Sequence, residues 1–399
     1  MIAQMFRMIW NRRGKNFMTF LGIMISFVVL YIVAAIVIYN FKNFFKPLGF
    51  DYKDVWYVTS HWENHPFQEL KTTLEKLDSN LRNYEEIIHF SYSKSFIFMP
   101  SAISTTGVKF AGNRFTCSQN IAGDDFDKVL NIEVLEGRWF SAEDNAMTRE
   151  PLVINIHTRK ALFGDGQAVG QKVIISDSEF EVVGVIGEFR SGGQFSGSRQ
   201  IIFQRTSLTN DNELARFLGE YFGSRILLKV KPGTDAQFEQ RLIKDLSRIA
   251  PDWRIDVRPL EEIKKSANIQ TLILPIILAV ICTFLMVNIA LGLFGVIWYN
   301  TDRRKSEIGL RRSIGASQRR IYQLIIGEAL FLSFLSLIAG SFFVVQFPVL
   351  NIIPYFTAEI YIAAYVVSVL LIIAMTVLCA YYPSRRAIRI EPALALHEE

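Results

Sequence analysis

Residues 269–298 read IQTLILPIILAVICTFLMVNIALGLFGVIW, 30 positions without one Lys, Arg, Asp or Glu. The hydrocarbon core of a bilayer takes about 20 apolar residues of helix, so this run crosses with residues to spare. Three further runs share the property of lacking Lys and Arg: Phe17–Tyr39, Ile321–Phe347 and Ile360–Tyr382. Four spans explain a composition that is 50% hydrophobic and only 20% charged, with 32 Phe and a mean hydropathy of +0.23. Soluble globular chains rarely average positive, so disorder is excluded and the composition points to membrane spans. The first run has no small-x-small cleavage site after it and reads as an uncleaved anchor rather than a signal peptide. Cys117, Cys282 and Cys379 are the only cysteines. They form neither pairs nor a metal spacing, which rules out a disulfide scaffold.

Orientation follows from the basic residues. Arg7, Arg12, Arg13 and Lys15 precede the first run, and Arg303, Arg304, Lys305, Arg311, Arg312, Arg319 and Arg320 lie between the second and third. Arg385, Arg386 and Arg389 follow the fourth, while Pro348–Glu359 between the third and fourth has none. All 14 therefore fall on one side, the cytoplasmic one, together with both termini. The net charge of +5 and the pI near 9.0 come from this placement. A nucleic-acid partner is not needed to explain them, and none is expected.

The expected layout is a four-helix membrane protein in a one-plus-three arrangement, with a large extracytoplasmic mixed α/β domain inserted between helices 1 and 2. Its parts are a cytoplasmic amphipathic helix (1–16), helix 1 (17–39), the outer domain (40–268), helix 2 with a stalk (269–298) and a cytoplasmic loop (299–320). Helix 3 (321–347), a short outer loop (348–359), helix 4 (360–382) and a cytoplasmic tail (383–399) complete it. Ile2, Met5, Phe6 and Ile9 at helical spacing define the first element.

The outer domain reads as two strand–helix–strand pieces flanking a β-rich insertion at about 112–206. The first piece is Asp54–Thr59, Phe67–Leu81 and Ile87–Tyr92; the second is Arg225–Val230, Thr234–Ile249 and Trp253–Val257, with Thr234 as helix cap. The insertion holds LVINI, a short helix through Ala161–Phe163, VGQKVIIS, FEVVGVIGEF and RQIIF. Ser191–Ser198, SGGQFSGS, reads as a mobile loop.

No catalytic constellation, metal site or cofactor site emerges. His61 and His65 are four apart but stand beside Pro66 without a His-Glu-x-x-His pattern. Cys117 reads as a small buried residue. Gly164–Lys172 lacks the spacing and the hydroxyl of a phosphate loop.

The most specific text is the inter-span segment TDRRKSEIGLRRSIGASQRRI, residues 301–321. It is basic, yet Ile308, Leu310 and Ile314 give it an apolar side, and its glycines break it into a short helix that docks on something. With Arg304, Glu307, Ile308, Gly309, Arg311, Gly315 and Ala316 it resembles the FtsX-like permease family of ABC transporters, the group that contains MacB and the lipoprotein releasers LolC and LolE. The tail Pro383–Leu396 resembles the family's closing pattern, with Ser384, Ile390 and Glu391 as departures. In the outer domain Leu135–Phe140 (LEGRWF), Ala161–Gly164, Val169-Gly170 and Val182–Ile186 follow in the family's order.

The resemblance implies a permease subunit of a MacB/Lol-type transporter in the bacterial inner membrane, without an ATPase site of its own. ATP and magnesium would sit on a separate cytoplasmic ABC ATPase. The 299–320 segment would be its coupling helix, with Arg304, Glu307, Ile308, Gly309, Leu310, Arg311, Ile314, Gly315 and Ala316 in contact. ATP-driven motion would reshape the outer domain for export or extraction of a drug, peptide or lipoprotein. Four spans imply a homodimer or a heterodimer with a related permease, and a periplasmic adaptor and outer-membrane channel are further expected partners. Gly22 and Ser26, and Gly292 and Gly295, are small residues suited to close helix packing, within the chain or across the dimer. Asn288 and Glu328 are intramembrane polar groups that should face protein or water, Glu328 beside Arg319 and Arg320. Two other readings are an FtsX-like regulator of cell-wall hydrolases and a membrane-anchored sensory receptor. The cytoplasmic segments are too short for a receptor's output domain.

Overall fold

The computed structural model describes residues 13–62, 65–99, 104–218, 224–303, 308, 310, 313–314, 317–353 and 355–388. Contacts divide the chain into a helical unit, Met1–Lys42 with Leu272–Glu399, and a mixed unit, Asn43–Thr271. In chain order the elements open with α1 (Arg13–Phe44), β1 (Val55–His61), α2 (Phe67–Leu81), β2 (Ile87–Ser93), β3 (Thr105–Phe110) and β4 (Asn113–Ala122). Then come α3 (Phe126–Leu130), β5 (Val134–Gly137), β6 (Glu150–Asn155), α4 (Ile156–Phe163), β7 (Lys172–Ile175), β8 (Ser178–Ile186) and β9 (Ile201–Arg205). The chain continues through α5 (Asp211–Leu218), β10 (Ser224–Val230), α6 (Ala236–Ile249) and β11 (Arg254–Pro259). Three long helices follow, α7 (Leu260–Asp302), α8 (Gln318–Val344) and α9 (Ala358–Ile388).

The two strand–helix–strand pieces of the mixed unit interlock. Their strands form one antiparallel sheet in the order β11-β1-β10-β2, a split βαβ arrangement. The helices bury the stripes that make them amphipathic: Leu70, Leu74, Leu77 and Leu81 on α2, and Phe238, Leu242 and Leu246 on α6. All seven join one apolar cluster with Trp56, Val58 and Leu228 of the sheet. Each such side chain contributes roughly 1.5–3 kcal/mol on burial. The cap of α6 is Asp235 rather than Thr234. Its carboxylate accepts from the amides of Gln237 and Phe238, both at 3.1 Å, as an acidic N-cap should.

The inserted part is a ring. β4 pairs with β3, β3 with β7, β7 with β8, β8 with β6, β6 with β9, and β9 returns to β4. Closure of these six strands leaves them no free edge. Val108, Leu152, Ile154, Val173, Phe180, Val182 and Ile202 fill one core cluster of the ring. β4 also meets β2 at Ser93 and Ala122, and β5 adds outside β8. The ring starts earlier than the 112 expected from sequence, at Thr105. The β3–β4 hairpin turns on Ala111 and Gly112, both at positive φ (48° and 82°), the backbone of a type I′ turn. Its strands are too polar to stand out in a hydrophobicity scan.

Among the described residues, four helices are long and apolar enough to cross a membrane: one before the mixed unit in chain order and three after it. Each extends beyond the apolar run seen in the sequence at its start, and α7, at 43 residues, is about 65 Å long. Pro275 lies inside α7, just past the division at Thr271/Leu272. Within the helical unit Phe27 meets Tyr365 edge-on at 5.8 Å and Tyr31 stacks on Tyr361 at 6.4 Å. Ser333 and Thr376 share a hydrogen bond of 2.8 Å between α8 and α9. Only 11% of the apolar window of α7 is buried, against 39%, 33% and 28% for α1, α8 and α9.

Candidate functional site

The basic segment after α7 separates its apolar residues into two kinds. Ile308 is buried, 5% exposed, within the apolar cluster of the helical unit. Leu310 and Ile314 are 50% and 77% exposed. The three were expected to form one apolar side, and Ile308 instead anchors the segment to its own chain. Ile308, Leu310 and Ser313 are helical, and the Ser313 hydroxyl donates to the Leu310 carbonyl at 2.8 Å. Arg304, Glu307, Gly309, Arg311, Gly315 and Ala316 lie outside the described residues. So do the amphipathic helix at residues 2–9 and the tail beyond 388.

Among the intramembrane groups, the Asn288 amide donates to the Phe284 carbonyl one turn back on α7, at 2.9 Å. Of the two expected surroundings, protein or water, Asn288 does not have this chain's own protein, being exposed on the single chain. Glu328 is half-buried on α8, two turns beyond the exposed Arg319 and Arg320. Of the two packings expected for the small residues, within the chain or across a dimer, the glycines do not show the first. A Cβ added at Gly22, Gly292 or Gly295 would meet nothing within 4 Å, so none provides close packing inside this chain. Gly340 does: a Cβ there would lie 2.6 Å from Phe27 Cδ1 of α1. Ser26 is buried.

In the mixed unit the LEGRWF and VVGVIG stretches meet along β5 and β8. A Cβ on Gly184 would lie 2.1 Å from the Arg138 carbonyl, and one on Gly137 2.2 Å from that of Val183. Only glycine allows this approach. Arg138 then pairs with the buried Asp144. Asp144 also closes a capping box with Ser141. Burial alone would raise its carboxyl, but Arg138 and the Ser141 amide hold it below the usual range. Trp139 packs on Phe126 and Phe203 and donates its indole N–H to the Gly123 carbonyl at 3.1 Å.

Arg205, at the end of β9, has a side chain 1% exposed. Its guanidinium grips Asp124 through two bonds of 2.7 and 2.8 Å, donates to Asn145 at 2.7 Å and faces the buried Glu213 at 3.4 Å. Burial pushes the Glu213 carboxyl up despite the attraction of Arg205.

Near α4 a pocket of about 460 Å³ is lined by Cys117, His157, Ser198 and neighbours. His157 Nε2 lies 2.7 Å from Glu188 Oε2, and the Ser198 hydroxyl donates to the same oxygen at 3.0 Å. Serine and histidine thus share one carboxylate rather than meeting each other, so the set is not a nucleophile–base relay. Burial would raise Glu188, but these two partners hold it below the ordinary range. Cys117 is buried, and burial pushes its thiol up to about 11, the opposite of an activated nucleophile. His61 ends β1, and His65 pairs with Glu69 at 3.5 Å.

Beyond β8 the Gly/Ser-rich loop is pinned rather than loose. The Arg190 side chain is 1% exposed. It donates to the carbonyls of Asn43 (3.0 Å), Lys46 (2.8 Å), Pro47 (3.3 Å), Gln194 (2.7 Å) and Ser196 (2.6 Å). Its own amide donates to Leu48 at 2.9 Å. Gln194 reaches the Phe44 carbonyl at 2.5 Å, and Phe44 and Phe195 rings lie 5.6 Å apart. At Gly49 (φ 82°) a Cβ would fall 1.6 Å from the Glu188 carbonyl, so this contact admits no side chain. Neither buried arginine has a signal in the sequence; Arg205 ends β9, and Arg190 lies in the loop after β8.

Residues 16–245 match the MacB-like periplasmic core domain, and residues 271–392 match the FtsX-like permease C-terminal region. The chain is 26% identical over 312 residues to the macrolide export ATP-binding/permease protein MacB of Escherichia coli, covering 75% of this chain and 46% of that protein. It is 23% identical over 412 residues to the pyoverdine export ATP-binding/permease protein PvdT of Pseudomonas syringae pv. tomato, covering 100% of this chain and 59% of that one. The chain thus spans about half the length of the curated relatives it matches. A crystal structure of the periplasmic region of MacB from Actinobacillus actinomycetemcomitans is 14% identical with a TM-score of 0.40, over 55% of this chain and 94% of that one. With a MacB-like core domain and an FtsX-like permease region matched along most of its length, the chain belongs to the MacB-type, FtsX-like family of ABC transporter permeases, multi-pass proteins of the inner membrane.

Proposed function

We propose that this chain is the membrane-spanning coupler of a MacB-type exporter and works with a cytoplasmic ABC ATPase that binds ATP and magnesium. The observation that carries the reading is the joining, in one chain, of the two family matches around four helices apolar enough to cross a bilayer. The 14 basic residues of the short segments favour a one-plus-three topology with both termini inside. The mixed unit then lies in the periplasm, and the exposed Leu310 and Ile314 are presented to the ATPase, flanked by arginines. A dimer is supported by the sparse burial of α7 and by the open space at Gly292 and Gly295. ATP-driven motion passes through the helices to the mixed unit, so the chain transmits movement rather than forming a pore. The names of its relatives, macrolide and pyoverdine export, point to a small amphiphilic compound as cargo, with an adaptor and outer-membrane channel beyond.

Purification of the tagged chain in gentle detergent tests this. An ATPase at one copy per permease is the expected result, and a second permease would make the dimer a heterodimer. No ATPase, even after crosslinking through residues 301–320, would overturn the reading.

A further inference from the structure

We propose that Arg190 is a positioning residue that fixes residues 43–47, the segment by which the chain enters the mixed unit, to the loop after β8 and so to the ring. The ATP-driven arm of its test rests on the transporter reading above; the joint itself does not.

The division of the chain falls at Lys42/Asn43, so Asn43 and Phe44, the last two residues of α1, already belong to the mixed unit. A helix ends with carbonyls that have no partner in the helix and with the negative end of its dipole. Arg190 meets both needs from a distant part of the chain. Its Nη2 donates to the Asn43 carbonyl in that last turn, and its Nη1 to Lys46 and Pro47 just beyond. The same guanidinium holds Gln194 and Ser196 of its own loop. Five N–H donors in one rigid plane suit this task, and lysine, a point charge on a flexible stem, does not reproduce it.

The grip is doubled by other groups. The Asn43 amide reaches the Phe195 carbonyl at 3.4 Å, Gln194 reaches Phe44, and Gly49 lies flat on Glu188. One residue before Arg190, Phe189 is fully buried against Phe50 at 4.8 Å and Phe203 of β9 at 5.1 Å. Segment 43–50 is therefore fixed to the chain that leaves β8, by polar contacts at one end and aromatic packing at the other. A shift of segment 43–50 therefore has to carry residues 188–196 with it, and through β8 the ring. A buried cation among carbonyls is costly to desolvate, and simple packing at this position would be met by an apolar side chain.

The test uses the full-length chain with its three cysteines replaced by alanine. Spin labels go on Phe45→Cys, 70% exposed, and on Ser178→Cys, exposed at the start of β8. Pulsed spin-resonance distances are measured in the Arg190→Met and Arg190→Lys variants, and ATP turnover is measured with the co-purified ATPase. The parent should give a narrow distance distribution and Arg190→Met one broadened about two-fold or more, with Arg190→Lys between them. ATP turnover should stay within about two-fold, while the ATP-driven change in the label spectrum falls at least about five-fold. A short bismaleimide joining Phe44→Cys to Phe195→Cys in Arg190→Met should restore that change. An unaltered distance distribution in Arg190→Met overturns the joint, as does failure of the crosslink to restore the response in a protein with parental circular dichroism. A parent with a narrow distribution but no ATP response leaves the joint standing and overturns the transporter reading instead.

Discussion

Replacing Asp124 by Asn should open the ring of the mixed unit, whereas replacing Glu213 by Gln should not, although both carboxylates face Arg205. The difference lies in what each does for a guanidinium whose side chain is 1% exposed. Asp124 is 31% exposed and holds it through two short bonds, so it keeps its own solvation while neutralising the buried charge. Glu213 is 3% exposed and stands off at 3.4 Å. Removing one partner of a buried pair costs about 3–5 kcal/mol. Asn145 at 2.7 Å and Glu213 stay behind to soften the loss, which brings Asp124→Asn to about 2–3 kcal/mol on that scale. Glu213→Gln removes a charge that burial already disfavours, and should change stability by less than about 1 kcal/mol in either direction.

Cys117, inside the ring on the neighbouring strand β4, gives the assay. With Cys282 and Cys379 replaced by alanine, its reaction with a disulfide reagent at mildly alkaline pH reports ring opening. Asp124→Asn should speed labelling roughly 30- to 150-fold and Glu213→Gln less than about five-fold. The pH dependence carries a sign. The Glu213 carboxyl is raised in the folded state, so its favourable contribution is fully present below the unfolded value near 4.3 and fades as pH rises through the folded one. Glu213→Gln should therefore gain on the parent between about pH 4 and neutrality. Equal acceleration by the two variants, or less than about three-fold by Asp124→Asn, would refute the reasoning.

Gly340→Val should lower the thermal midpoint in detergent by the equivalent of about 1–3 kcal/mol, because the new side chain meets Phe27, while Gly22→Ala should leave it unchanged. Scanning fluorimetry separates them, and equal shifts would contradict the packing. Ile308→Asp should lose folded protein on size-exclusion chromatography, since Ile308 is buried in the helical unit. Leu310→Asp and Ile314→Asp should elute normally yet recover at least about ten-fold less ATPase on co-purification, and unchanged recovery in both would remove them from the interface.

Length and period made the helices legible. A run such as Phe17–Tyr39 has no soluble alternative, and the leucine stripe of α2 could fit only a helix. The order of glycine motifs identified the family because Gly137 and Gly184 cannot be replaced where β5 and β8 approach. What escaped was everything set by partners far along the chain. The polar β3–β4 hairpin is a pair of strands only because β7 and β9 accept it. The loop at 191–198 has the composition of a flexible linker, and Arg190 fixes it through carbonyls some 145 residues earlier, such as that of Asn43, |i−j| = 147. The small-residue spacing singled out Gly22, Gly292 and Gly295, yet close approach within the chain falls to Gly340, where Phe27 happens to lie.

The split of the βαβ sheet around the ring imposes an order on folding. Val55 of β1 pairs with Lys229 of β10, and Trp56 with Pro259 of β11, so the first strand leaves the ribosome long before its neighbours exist. The ring's strands are contiguous in sequence from Thr105 to Arg205, and closing shorter loops costs less entropy. The ring's strands can therefore pair without waiting for the rest of the domain, whereas the apolar face of β1 stays uncovered until β10 and β11 are made. An uncovered strand face of this kind is the sort of surface that favours aggregation in chains that fold in stages.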